Sequence, residues 1–125
     1  MTTLYKQELN QELVAFCLDR PNLAKALRLW DRDSKDWRGM YTILEFVVNE
    51  AGGPPEVAKK GWATGKQITH FKRTANTAGD ESRHGTTKAA PPVNPMPLVE
   101  ARALVRRILL GWIEQEYGRP LSGSG

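Results

Sequence analysis

Apolar residues recur at helical spacing through both ends of the chain, and that spacing lapses between them. Leu9, Leu13, Phe16 and Cys17 predict a first helix over about Thr3 to Asp19, ended by Pro21. Leu23, Ala26, Leu27 and Trp30 give one apolar face to a second helix, Leu23 to about Asp31, with Asn22 as its cap. A charged joint, Asp31-Arg32-Asp33-Ser34, precedes the third, for which Asp33 or Ser34 is the expected N-cap. Trp37, Met40, Tyr41, Leu44, Val47 and Val48 follow the i, i+3, i+4, i+7 pattern. The β-branched Ile43, Val47 and Val48 would also allow a strand, but length and period favour a helix, stopped by Gly52-Gly53-Pro54-Pro55.

The middle reads differently. Glu56 to Lys60 predicts one short helix. Thr64-Gly65-Lys66-Gln67 has capping-box spacing and opens another, with Ile68 and Phe71 as core contacts. From Thr74 to Pro95 the chain is rich in Thr, Gly, Ala, Asn and Pro without an apolar period, which predicts an ordered loop or a mobile arm. Pro97 then suits a first turn, and Leu98, Ala101, Leu104, Val105, Ile108, Leu109 and Trp112 form a wide apolar face, closed by Gly118 and Pro120. The expectation is an all-α, single-domain bundle of about five to six helices over residues 1–120, with a long polar loop before the last helix and a flexible tail at 121–125.

Length agrees with one domain. A chain of 125 residues buries roughly two-thirds of its unfolded surface, enough for a core without disulfide or metal. The lone cysteine, Cys17, stands in an apolar run and reads as a small core residue in a reducing, cytoplasmic setting. No apolar run approaches the length of a membrane span, and Met1 to Asn10 lacks the layout of a signal peptide. The net charge of +4 permits an acidic partner without requiring one.

Charge changes the picture locally, between Glu56 and Lys88. Glu56 to Arg73 resembles a helix-turn-helix: Ala58 is small where two helices would touch, Gly61 is near the turn, and Ile68 and Phe71 would anchor the second helix. Lys66, Gln67, Thr69, His70, Lys72 and Arg73 would then project outward, beside Lys59 and Lys60, with chemistry suited to phosphates and base edges. Two features depart from that pattern: Gly61 comes one residue early, and Gly65 weakens the second helix. The plainer alternative is two short helices carrying solvated lysines. Further along, Asn76, Arg83 and His84 form either an anion-binding group or a clasp pinning the loop to the domain.

Several chemistries fail on spacing. Gly61 to Gln67 has three residues between its glycines and Gln67 after the lysine, so it is no phosphate loop. Arg83 and His84 are adjacent, whereas helical ribonucleases of the HEPN superfamily need four to six residues between them. The soft ligands His70, His84 and Cys17 are scattered, so no metal site or cofactor is expected. No strand-nucleophile-helix elbow is present. Glu45 reads either as a buried acid or, as is commoner for its position, as an acid at the edge of an apolar stripe paired with a lysine, and Trp30, Trp37, Trp62 and Trp112 as core or interface anchors.

Trp37 with Tyr41 and Glu45, Gly61-Trp62, Phe71-Lys72, Thr74-Ala75-Asn76, Arg83-His84-Gly85, Asn94-Pro95-Met96, Leu98, Glu100-Ala101 and Trp112 make a distinctive string. Over Trp37 to Trp112 it resembles a family of small uncharacterised bacterial helical proteins. The resemblance implies a bacterial, intracellular, single-domain protein and lends no catalytic residue. The leading functional expectation is a non-enzymatic module contacting DNA, RNA or another acidic partner through Lys59, Lys60, Lys66, Gln67, His70, Lys72, Arg73, Asn76, Arg83 and His84. The alternatives are a homodimeric or partner-binding subunit anchored by the last helix and Trp112, and a metal-independent nuclease centred on Arg83-His84.

Overall fold

The computed structural model describes residues 11–78 and 94–118. Among the described residues there are six α-helices and no strand: α1 Gln11–Leu18, α2 Pro21–Asp33, α3 Trp37–Ala51, α4 Pro54–Lys59, α5 Gly65–Ala78 and α6 Leu98–Tyr117. The all-α expectation holds. The proposed start of the first helix and the tail lie outside the described residues.

Helix α3 is the hub, packing against α2, α4, α5 and α6, while α1 leans on α2 and α6. Each helix supplies fully buried side chains to one cluster, among them Leu13, Leu27, Ile43, Leu44, Val57, Phe71, Ile108 and Leu109. Cys17 belongs to this core. Burial pushes its thiol up from 9.0 to about 11, against a smaller lowering by Arg20, so thiolate is scarce at neutral pH.

The helix starts depart from expectation for physical reasons. Pro21 opens α2 instead of merely ending α1, because proline at the first helical position has no amide to leave unpaired. Asn22 therefore lies inside the helix, and its Nδ2 donates to Glu50 Oε1 at 2.8 Å. The cap of α3 is Asp36, whose Oδ1 accepts from the Gly39 amide at 2.8 Å. Ser34 is unavailable for that role. It is buried, and Arg102 Nε donates to its carbonyl at 2.8 Å while Nη2 donates to its hydroxyl at 3.2 Å. Asp33 faces Arg32 instead, at 3.3 Å.

Helix α5 runs on through Ala78, past Thr74 where a loop was expected. Its inward positions after Phe71 are Thr74 and Ala75, which are buried although neither is strongly apolar. The Thr74 hydroxyl accepts from the Met96 amide at 3.0 Å, which secures the approach to α6. Thr74→Val keeps the shape and removes the acceptor. It is expected to destabilise the fold by about 1–3 kcal/mol, the range for orphaning a buried donor. A thermal melt should fall by several degrees, and Thr74→Ser should restore most of the loss.

Candidate nucleic-acid interface

Two adjacent prolines, Pro54 and Pro55, open the six-residue α4, and Lys60 follows its last turn. Gly61 takes φ +79°, and its amide donates to the Ala58 carbonyl at 3.0 Å while the Trp62 amide donates to Val57 at 3.2 Å. This left-handed closure ends α4 and sends the chain into the turn. Thr64 and Gln67 then form the expected capping box. The Thr64 hydroxyl accepts from the Gln67 amide at 3.0 Å, and Gln67 Oε1 accepts from the Thr64 amide at 2.9 Å. Helix α5 is fixed from its buried side by Ile68, Phe71 and Ala75, with the Phe71 ring 5.4 Å from Trp37 and 6.3 Å from Tyr41.

The arrangement is helix-turn-helix-like with one correction. Ala58, expected where the helices touch, is exposed, and the buried contact comes from Val57. A six-residue α4 turns one narrow side inward, and the larger apolar residue occupies it.

The candidate residues divide sharply. Lys59, Lys60, Lys66 and Arg73 are exposed and pair with no acidic side chain among the described residues. Lys66, Thr69 and Arg73 share the outward face of α5 at i, i+3, i+7. Three others are occupied. Gln67 closes the capping box, and His70 Nε2 bonds the Asn94 carbonyl. Lys72 Nζ lies 2.7 Å from Glu45 Oε2, which puts Glu45 at the half-exposed edge of α3 as its sequence position implied. Asn76 is half-buried within α5. Arg83 and His84, and with them the nuclease reading, lie outside the described residues.

In the sequence Trp62 reads as a core or interface anchor, and its partner Arg107 emerges only from the fold. The half-buried Trp62 is on the turn itself, and Arg107 Nε of α6 donates to its carbonyl at 2.8 Å. A Cβ built on Gly111 would lie 2.5–2.6 Å from Nε1, Cδ1 and Cε2 of the indole. Near-equal distances to three ring atoms mean that one ring face lies flat on α6 where the helix has no side chain. The signal available in the sequence was Arg107 and Gly111 one turn apart. Gly111→Ala should raise helix propensity by about 1 kcal/mol yet expel the ring. The expected net result is about 1–3 kcal/mol of destabilisation in chemical unfolding, from overpacking, with a red shift in tryptophan emission.

A cleft of about 420 Å³ elsewhere, lined by Arg20, Leu23, Glu50, Trp112 and Glu116 among others, includes none of the basic candidates. Among the described residues no three His, Cys, Asp or Glu side chains group so as to hold a metal ion, and no helix is long and apolar enough to cross a membrane. No family model, curated protein or solved structure matches this chain.

Proposed function

We propose that the protein is a non-enzymatic module that binds nucleic acid through Lys59, Lys60, Lys66 and Arg73. The observation carrying this reading is the outward face of α5: Lys66 and Arg73 project from a helix fixed by Ile68 and Phe71, with no carboxylate of a described residue paired to either. Lys59 and Lys60 close α4 at the other side of the turn. Cations on rigid elements suit a phosphate backbone, because they displace condensed counterions at little cost in ordering.

The test is a fluorescence-polarisation titration with labelled DNA and RNA across salt concentrations. Four phosphate contacts give a log–log salt slope of about −3. Lys66→Glu combined with Arg73→Glu should flatten that slope by about 2 and weaken binding roughly tenfold or more at low salt. Absence of salt-sensitive binding to every nucleic acid would sink the reading.

A partner-binding reading has one observation in its favour: Leu98 and Val99, at the start of α6, are 40% and 78% exposed. Trp112 does not serve it. That ring is buried in the chain's own core, edge-on to Phe46 at 6.2 Å. Sedimentation at high concentration distinguishes the two, since a strictly monomeric protein that binds nucleic acid favours the first.

A further inference from the structure

We infer that the nucleic acid taken by this surface is single-stranded, with Trp62 as the platform on which a base stacks. The inference rests on the nucleic-acid reading above and adds the strand form to it. Two independent features point there.

The first is what α5 lacks. A helix that reads duplex DNA carries unoccupied amide and guanidinium groups to base edges in the major groove. On α5 the Gln67 Oε1 is held in the capping box, which removes the two-point contact an amide makes to adenine, His70 is tied to Asn94, and Lys72 to Glu45. Thr69 and the two cations Lys66 and Arg73 remain on the outward face. That set holds phosphates and leaves Arg73 as the single guanidinium able to reach a base edge, fewer such groups than a reading helix brings to the major groove.

The second is the aromatic ring in the turn. Of the four tryptophans, Trp30 and Trp112 are buried, and Trp37 packs on Phe71. Trp62 alone of the four stands in the basic turn between α4 and α5. One face is closed by α6 at Gly111, which fixes the ring's tilt. The Lys60 ammonium lies over the ring, 6.0 Å from its centroid, on the side away from α6, and a stacking base would take its place there while the ammonium turns to the phosphate. Arg107 holds the backbone carbonyl of the same residue. An aromatic face bordered by cations is the pairing that binds single strands with little sequence preference, because every base has a π-face and every nucleotide a phosphate. Duplex bases are already stacked and offer the ring nothing.

The experiment compares labelled oligothymidylate with a random-sequence duplex of equal length at low salt, using the full chain and its Trp62→Leu and Trp62→Phe variants. Single-strand binding should exceed duplex binding, and oligothymidylate should quench tryptophan emission in the parent protein. Trp62→Leu should lose roughly tenfold or more in single-strand affinity with the salt slope unchanged, and Trp62→Phe should recover part of it. A melting curve for each variant separates lost stacking from lost folding. Equal or tighter duplex binding, or single-strand affinity untouched in a folded Trp62→Leu protein, overturns the stacking inference and leaves the cationic surface standing. No salt-sensitive binding to either oligonucleotide overturns both.

Discussion

Phe71→Ala is expected to cost about 3–5 kcal/mol, the range for deleting a buried aromatic ring. Phe71 is fully buried, and its neighbours Trp37 and Tyr41 reach it from α3 at 5.4 and 6.3 Å. Both neighbours are half-buried, so each can swing part-way into the space, which places the loss toward the lower end of that range. Even there it removes a large share of the roughly 5–15 kcal/mol that holds a domain of this size. The consequence should be concentrated in α5. Its sequence, Gly-Lys-Gln-Ile-Thr-His-Phe-Lys-Arg-Thr-Ala-Asn-Thr-Ala, holds three threonines, an asparagine and a glycine, all weak helix formers. Such a helix exists because it is packed, and Phe71 is its largest packed residue. Urea denaturation should show a lower midpoint with a similar slope, and Phe71→Leu should retain more than half of the stability. An unchanged midpoint for Phe71→Ala would mean that α5 is not held through this ring. The proposed binding surface would then lack its support.

What could be read in advance follows from where each signal lies. Helix α6 was legible because Leu104, Val105, Ile108, Leu109 and Trp112 declare their face without help from elsewhere. The capping box at Thr64 and Gln67 was legible for the same reason, since both partners lie within four residues. The end of α5 was not. Thr74 and Ala75 carry no apolar period, and the group that satisfies the buried Thr74 hydroxyl is the Met96 amide, 22 residues later. The cap of α3 turned on Arg102, 68 residues from Ser34. The candidate site had the same limit. Composition marks Lys66, Lys72, Arg73 and His70 alike, yet Glu45 removes one and Asn94 another. Which cations remain unpaired is a tertiary property, and so is the Trp62 tilt set by a missing side chain at position 111.

Gly39→Ala is expected to destabilise the protein by about 3 kcal/mol or more, although propensity alone predicts a gain of about 1 kcal/mol in a helix. Gly39 is in the first turn of α3, where it meets the end of α2. A Cβ there would lie 1.7 Å from the Asp33 carbonyl oxygen and 2.8 Å from the Asp33 Cβ. The obstacle is backbone, so no side-chain rotation relieves it and one helix must move. Movement of α3 strains the bond from the Gly39 amide to Asp36 Oδ1, a cap worth about 1 kcal/mol. Movement of α2 disturbs Ser34, which Arg102 holds through both its carbonyl and its hydroxyl. Gly65 provides the contrast. It opens α5 with nothing within 4 Å of the added methyl. Gly65→Ala should therefore stabilise the protein by about 0.4–1 kcal/mol, chiefly by restricting the unfolded chain. The same chemical change thus carries opposite signs at two helix starts, readable as opposite midpoint shifts in a single urea series. Stabilisation by Gly39→Ala would mean that α2 and α3 do not approach each other there, and the α2–α3–α6 joint around Ser34 would have to be redrawn.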